Sequence, residues 1–232
     1  MLGHVKDLGL DYSRPETRGY QTSARLPYHT DSSDIVGLLC LKKSKSGGLS
    51  SIVSTTTVYN EMLKQRPDLA AVLTQPVYRT RWGEVPEGRK PYYGTAPFSV
   101  VNGRVICTYV RSATRKAQLM EVVPRITPEQ EEAMDLFDAL ANDKSLHLDM
   151  QFEPGDMQWV CNHSIAHSRT AFEDYPELEK RRHLLRLWLA CDDGPELPAA
   201  FTGEHQGKTA GGRPDGIKVP GVELVAPLRA ED

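Results

Sequence analysis

The sequence is poor in the features that mark several large classes of protein. It has only four cysteines among 232 residues, and they lie far apart, at Cys40, Cys107, Cys161 and Cys191. This spacing matches neither a disulfide-rich secreted scaffold nor the close cysteine pairs of a zinc site, so we expect free thiols in a cytoplasmic protein. No apolar run approaches the roughly 18 residues that a membrane span needs, and the first segment of the chain has no apolar signal-peptide core.

The sequence also has little excess of one sign of charge over the other. The 28 Lys and Arg residues nearly balance the 31 Asp and Glu residues, and no run of like charge forms a tail. A nucleic-acid or membrane-surface partner therefore has no electrostatic footprint in the sequence. The 39% of hydrophobic residues is the ordinary share of a globular protein, and the length favours one domain.

What the chain does contain is a series of short strand-like segments. Apolar or alternating patterns predict strands at 34–41, 49–53, 77–82, 98–101, 105–110, 146–152, 157–161 and 183–190. Asn102-Gly103 predicts a tight hairpin. Helices are predicted at 57–74, with a break at Pro67, and after the capping box that begins at Thr127.

Many short strands with few helices predict a mainly β fold, either a sandwich or a jelly-roll barrel. We assign this fold to residues 1–202. From residue 203 to 232 the composition shifts to Gly, Lys, Pro and Asp, which predicts a surface tail with a short strand at 222–226.

Two parts of the sequence could together hold a metal ion. In the extended tripeptide His29-Thr30-Asp31, period-2 geometry sends the imidazole and the carboxylate to the same face. A further histidine is available at His163 or His167, and two histidines plus a carboxylate form the facial triad of non-haem Fe(II) oxygenases. By itself the tripeptide is a weak signal, because a surface histidine beside a turn aspartate gives the same pattern.

Two arginines on a largely apolar strand form the second candidate feature. Arg182 and Arg186 share one face of the strand predicted at 183–190 with Trp188. A guanidinium taken out of water needs a partner, and its planar fork suits a carboxylate such as that of a dicarboxylate cosubstrate. The alternative is that both arginines pair with acidic residues of the segment 173–177.

Several short runs, in a fixed order between residues 26 and 190, make the sequence recognisable. They are Leu26-Pro27-Tyr28-His29-Thr30-Asp31, Ser46-Gly47-Gly48-Leu49-Ser50, Gly155-Asp156-Met157, His167-Ser168-Arg169-Thr170-Ala171-Phe172 and Arg181-Arg182-His183-Leu184-Leu185-Arg186. Together they resemble the TauD/TfdA-like family of Fe(II)/2-oxoglutarate-dependent dioxygenases. The resemblance implies a double-stranded β-helix, a jelly roll of the clavaminate synthase-like type with flanking helices.

The resemblance also implies a set of site residues. His29, Asp31 and His167 are the implied iron ligands. His167 is preferred to His163 because the family places its ligand just before a small residue that leads into the next strand.

For the cosubstrate, the resemblance implies three contacts. Arg186 would grip the far carboxylate of 2-oxoglutarate, and Arg182 would assist at the iron-bound end. Ser50 would supply a hydroxyl contact to the same molecule. Trp159 and Trp188 are expected to pack inside the barrel.

The implied reaction uses Fe(II), 2-oxoglutarate and dioxygen, releases succinate and CO2, and hydroxylates or otherwise oxidises a C–H bond of a small molecule. The carboxylate of Asp31 argues against halogenation. The segments 82–97 and 111–118 are interpreted as lips or lids over the pocket, and their basic and aromatic residues suit an anionic or amino-acid-like substrate. The alternative for these segments is that they are solvated loops. The alternative for the whole protein is a non-catalytic jelly-roll module that binds a metal or a small acid.

The chain differs from the family pattern at its start. Family members have a much longer segment before the His-x-Asp strand, whereas only 28 residues precede His29 here. The fold is therefore expected to lack the usual N-terminal portion. Because an open barrel exposes sheet edges and apolar surface, we expect the chain to form a homo-oligomer.

Overall fold

The computed structural model describes residues 2–198 together with Phe201 and Arg213. Apart from Arg213, the tail predicted at 203–232 and its strand at 222–226 lie outside the described residues. Within the described part of the chain, every helix is too short or too polar to cross a lipid bilayer.

Two four-stranded antiparallel sheets form the body of the molecule, with strands numbered in chain order. The first contains, in spatial order, β1 (Leu2–Val5), β14 (His183–Leu189), β3 (Ile35–Lys42) and β11 (Met157–Cys161). The second contains β10 (His147–Met150), β5 (Ser50–Ser54), β12 (Ile165–Arg169) and β2 (Leu26–His29). Neighbouring strands come from opposite ends of the chain, as in a jelly roll, which confirms the predicted fold class.

Three two-stranded ribbons complete the described β structure. They are β4 (Ser46–Gly47) with β13 (Phe172–Glu173), β6 (Val77–Thr80) with β7 (Tyr92–Thr95), and β8 (Phe98–Val101) with β9 (Arg104–Cys107). Between β8 and β9, Asn102 and Gly103 have φ of 49° and 74°. This left-handed pair is the geometry of a type I′ turn, so the hairpin prediction is confirmed.

The four described α-helices are α1 (Thr55–Gln65), α2 (Pro67–Val72), α3 (Arg111–Ala117) and α4 (Pro128–Ala141). Local chemistry sets a boundary of three of them, α1, α2 and α4. Pro67 separates α1 from α2, and Thr127 and Gln130 form the predicted capping box of α4 with two hydrogen bonds of 3.2 Å.

Two of these helices, α1 and α4, pack on the second sheet and give it two different faces. Tyr28 of β2 and Ala166 of β12 are buried in the apolar cluster that the sheet shares with α1, α2 and α4. Their neighbours His29 and His167 line a pocket. Because side chains alternate along a strand, the apolar packing of one face fixes the polar groups on the other. The cluster also contains Val53, Val58, Met62, Leu73, Phe98, Met134 and Phe137.

Two segments differ from the prediction. No strand was predicted at 165–169, yet β12 is an interior strand that pairs with both β5 and β2. Its polar residues have little intrinsic preference for a strand, so tertiary pairing decides its conformation. The segment 111–118, interpreted as a lip over the pocket with no helix predicted, forms α3, whose first three residues line the pocket. Lys116 Nζ of this helix donates to the carbonyls of Arg14 and Thr17 at 2.6 and 2.5 Å.

Candidate metal centre and pocket

Three side chains meet in a cavity of about 150 Å³ that is lined by both sheets. His29, Asp31 and His167 offer ligand atoms that all lie within 4.8 Å of one another. Asp31 Oδ1 is 3.9 Å from His29 Nε2, and Asp31 Oδ2 is 3.8 Å from His167 Nε2. Two imidazole nitrogens and one carboxylate in such a cluster are the donor set of a facial triad, which leaves other coordination positions open.

Sheet register brings the two histidines together. β2 and β12 are antiparallel neighbours, and His29 lies directly opposite His167, with 4.3 Å between ring centroids. His29 Nδ1 is 2.9 Å from the carbonyl oxygen of Pro27. Since Nδ1–H donates to this carbonyl, the lone pair of Nε2 is directed toward the carboxylate and is available to a metal.

A buried asparagine holds the turn that carries Asp31. Asn162 is 1% exposed, and its Oδ1 accepts from the backbone N–H of Asp31 at 2.7 Å. Its Nδ2 donates to the carbonyls of Asp31 and Ser33 at 2.6 and 2.8 Å. On the other side, Thr30 N–H donates to the Tyr109 carbonyl at 2.8 Å, and Tyr109 N–H donates to Thr30 Oγ1 at 2.9 Å. The implied ligand Asp31 is therefore fixed through its backbone.

Removal of this support should weaken both the fold and the metal site. In Asn162→Ala three hydrogen bonds are lost, so we expect the free energy of unfolding to fall by about 3 kcal/mol in urea titrations. We expect the affinity for Fe(II) to fall about tenfold, because groups that orient ligands typically contribute that much. Asn60→Ala, at an exposed position of α1, is the control. If Asn162→Ala binds Fe(II) with wild-type affinity, Asn162 does not support the metal site.

The electrostatics of the cluster suit a cation. Burial alone would raise the pKa of the Asp31 carboxyl, but Arg186 and the two histidines outweigh burial and hold this pKa below its usual value. Burial lowers the pKa of His167 to about 3, so its imidazole is neutral near neutral pH. A neutral imidazole beside an ionised carboxylate is the protonation state that metal binding requires.

Two residues of β14 contact the carboxylate of Asp31. Trp188 Nε1–H donates to Asp31 Oδ2 at 2.8 Å, and Arg186 Nη1 lies 3.4 Å from the same oxygen. The Arg186 guanidinium lies 4.6 Å from the ring centroid of Tyr20 and 4.2 Å from that of Trp188. Trp188 lies in the pocket between the sheets, and its indole N–H also orients an implied ligand. The expectation that Trp159 packs inside the barrel is wrong, because this residue of β11 is 54% exposed.

Two further arginines, Arg169 and Arg182, line the same pocket and lie against the ring of Phe172. The guanidinium carbons of Arg169 and Arg182 are 4.5 and 5.2 Å from the centroid of this ring. Both arginines are 5% exposed. Arg182 Nη1 and the Nε and Nη1 of Arg169 have no hydrogen-bond partner among the described residues.

Burial lowers the pKa of Arg182 to about 10 and that of Arg169, which also feels the charge of Arg182, to about 9. Both stay protonated at neutral pH. Two like charges taken out of water with free donors form a site that an anion would stabilise.

Ser50 and Gly48 complete this end of the pocket. Ser50 lies opposite Arg169 in the pairing of β5 with β12, is 5% exposed and lines the pocket. Gly48 has φ of +72°, and a Cβ there would lie 2.8 Å from Ser44 Oγ and 3.3 Å from Arg182 Nε. The Gly-Gly-x-Ser segment therefore lets the backbone approach the guanidinium closely.

The positions of Arg182, just before β14, and of Arg186, within it, differ from the expectation. Arg186 contacts Asp31, whereas Arg182 packs on Phe172 and influences Arg169. In an extended chain, four residues separate two side chains by about 13 Å. Arg186 therefore lies at the end of the pocket with the implied ligands, and Arg182 lies away from it.

The remaining candidate histidine belongs to a different cluster. His163 Nε2 lies 2.6 Å from Asp34 Oδ1, and both side chains are 3% exposed. His167, rather than His163, is the histidine that joins His29 and Asp31. The sequence argument missed Asn162 and Arg169; Arg169 follows His167 by two residues, so the period-2 rule that paired His29 with Asp31 would have found it.

A jelly roll with a His-x-Asp and distal histidine cluster between its sheets defines a class of metal-binding β proteins. The chain belongs to the family described as "Taurine catabolism dioxygenase TauD, TfdA family", whose model matches residues 3–188. This match confirms the family that the ordered motifs resembled.

Two relatives show how similar the sequence is to known proteins. The chain is 34% identical to FR-33289 synthase of Streptomyces rubellomurinus over 219 residues, which are 90% of this chain and 63% of that protein. It is 26% identical to uridine-5'-phosphate dioxygenase of an Amycolatopsis species over 203 residues, or 81% of this chain and 71% of that protein. The chain thus spans less than two thirds of the length of FR-33289 synthase.

Solved structures share the fold. An asparagine oxygenase in complex with Fe(II), 2S,3S-3-hydroxyasparagine and succinate superposes with a TM-score of 0.60 at 19% identity, over 82% of this chain and 56% of that one. The non-haem iron oxygenase OrfP, in complex with Fe and alpha-ketoglutaric acid, superposes with a TM-score of 0.55 at 16% identity, over 82% of this chain and 56% of that one. These likenesses confirm the predicted jelly roll.

Proposed function

We propose that the protein is an Fe(II)/2-oxoglutarate-dependent oxygenase that couples the decarboxylation of 2-oxoglutarate to succinate with the hydroxylation, or a related C–H oxidation, of a small molecule. One observation carries the proposal. A cluster of two histidines and one carboxylate shares its pocket with Arg169 and Arg182, two buried arginines that keep unpartnered donors among the described residues although Arg169 Nη2 donates to backbone carbonyls. The two histidines and the carboxylate suit Fe(II), and the two arginines suit the far carboxylate of a dicarboxylic acid that is bound to the iron at its other end.

In this proposal His29, Asp31 and His167 hold Fe(II). The donor set fits the ion because both histidines present Nε2 and the carboxylate is ionised. When bound there, Fe(II) supplies the binding and activation of dioxygen. The chain's own part is to hold three ligands on one side and to keep the pocket enclosed by both sheets.

We assign the far carboxylate of 2-oxoglutarate to Arg182, Arg169 and Ser50. This assignment exchanges the roles that the resemblance implied for Arg182 and Arg186. Its support is that Arg182 and Arg169 each carry unpartnered buried donors and lie against the same Phe172 ring, whereas Arg186 already contacts Asp31. A carboxylate between two guanidinium groups would form charge-assisted hydrogen bonds and relieve their mutual repulsion.

We assign Arg186 to the substrate. Its guanidinium lies beside Asp31 and stacks between Tyr20 and Trp188, which holds its plane in a fixed orientation. A substrate with an anionic group would bind its free edge and bring a C–H bond near the metal. Hydroxyasparagine, uridine-5'-phosphate and hydroxyarginine, which the names of the similar proteins mention, each carry such a group.

The test of the proposal needs no known substrate. Under anaerobic conditions, Fe(II) and 2-oxoglutarate together should produce the visible absorption band of a keto acid chelated to iron. After dioxygen is admitted, with ascorbate present, slow uncoupled turnover should form succinate. A protein that produces neither the band nor succinate contradicts the proposal. A protein that binds iron but forms no succinate would favour the non-catalytic binding module.

A further inference from the structure

A buried carboxylate outside the pocket connects the metal site to the C-terminal part of the chain. Asp34 lies three residues after Asp31, and its side chain is 3% exposed. It accepts from the backbone N–H of Cys191 at 2.7 Å and lies 2.6 Å from His163 Nε2. It also accepts twice from Arg213, from Nε at 2.6 Å and from Nη2 at 2.7 Å.

The Arg213 guanidinium is closely packed and fully hydrogen-bonded. Its Nη1 donates to the carbonyl of Pro195 at 3.0 Å, so all of its nitrogens have partners, and the side chain is only 14% exposed. A Cβ at Gly194 would lie 2.4 Å from Nη2, which shows how closely the guanidinium packs on the backbone there. Bidentate pairing with a buried carboxylate distinguishes this contact from an exposed ion pair.

Asp34 is also a junction for the segments that support the implied ligand Asp31. Its carbonyl accepts from the backbone N–H of Asn162 at 2.9 Å, and Asn162 holds Asp31 through both backbone groups. Its own N–H donates to the carbonyl of Leu189 at 3.0 Å, next to Trp188, whose indole binds the Asp31 carboxylate. Two of the supports of Asp31, Asn162 and Trp188, are therefore tied to the backbone of Asp34, whereas Thr30 is held separately by Tyr109.

We propose that Arg213 is a positioning residue of the metal site, so that the C-terminal part of the chain contributes to iron binding from outside the pocket. The inference rests on the proposed function. Without the guanidinium, a buried carboxylate keeps its charge but loses two of its hydrogen bonds. Such a group recruits water or moves, and the backbone that it fixes moves with it.

The test is an Fe(II) titration of the full chain, read from the anaerobic absorption band with 2-oxoglutarate. In Arg213→Met we expect the Fe(II) affinity to fall about fivefold, the scale of coupling through a packed network, together with a shift of the band at saturating iron. Arg213→Lys restores the charge but not the fork, so it should lie between Arg213→Met and wild type.

Arg66→Met is the matched control, since Arg66 is 43% exposed and pairs with Asp68 and Glu132 away from the pocket. It should bind iron as wild type does. If Arg213→Met does not fold, Gly194→Ala fills the space occupied by the guanidinium and should lower the affinity in the same direction.

Wild-type affinity and an unshifted band in the folded Arg213 variants would overturn the inference and leave the proposed function intact. A wild-type protein that binds no Fe(II) would overturn both. A loss of thermal stability alone, with iron binding unchanged, would assign Arg213 to the fold and not to the site.

Discussion

The variant Asp31→Asn is expected to form succinate from 2-oxoglutarate at least about a hundredfold more slowly than wild type. Loss of a group that merely orients a metal ligand typically costs 10- to 100-fold, so loss of the anionic ligand should cost about this much or more. Asparagine keeps the shape of the side chain but removes the charge that Arg186 and Trp188 contact. Succinate formation and the anaerobic absorption band are the measurements.

The chain contains its own matched control for this experiment. His147-Leu148-Asp149 repeats the His-x-Asp spacing, and His147 Nε2 lies 3.4 Å from Asp149 Oδ1. This pair is on β10, an edge strand, and neither residue lines the described pocket. Asp149→Asn should therefore react as wild type does. If Asp31→Asn forms succinate as fast as wild type, Asp31 is not a ligand of the metal.

The second large effect is expected at the other end of the pocket. In Arg182→Met the affinity for 2-oxoglutarate should fall about a hundredfold, since truncating one partner of a buried charge pair costs 2–5 kcal/mol or more. Methionine fills similar space with an apolar side chain, and such replacements of buried charges are often tolerated by the fold. Binding of Fe(II) in the absence of 2-oxoglutarate should change little.

Arg186→Met separates the two assignments of the arginines. Because Arg186 contacts Asp31 and not the Phe172 region, its loss should lower 2-oxoglutarate affinity by less than about tenfold. Titration of the anaerobic band with 2-oxoglutarate measures both variants. If Arg186→Met has the larger effect, the order implied by the resemblance is right and the exchange proposed here is wrong.

The local structure of the chain was largely predictable because its signals are local. The break at Pro67, the capping box at Thr127 and the Asn102-Gly103 turn follow from backbone geometry within a few residues. The structure confirms all three. By contrast β12 was not predicted, because Ile165–Arg169 is made a strand by pairing with β2 and β5, and such partners are not visible in the segment itself.

The candidate site was predictable only in part, for the same reason. The chain has two His-x-Asp tripeptides, and the spacing is identical in both. Only the order of the surrounding motifs favoured the one at His29. The roles of Asn162, Trp188 and Arg169 depend on contacts across the fold that no spacing rule contains.

By itself the sequence determined the strand-rich fold and the family, and it named the three side chains that meet in the pocket. Covalent geometry put His29 and Asp31 on one face, whereas the choice of His167 over His163 came from the resemblance to the family. The tertiary structure alone decided that Arg186 lies beside the carboxylate of Asp31 and that Arg182 shares the Phe172 ring with Arg169, and it brought Arg213 to Asp34. These contacts join charged side chains that are far apart in the sequence. Only the register and packing of the sheets determine where such side chains lie.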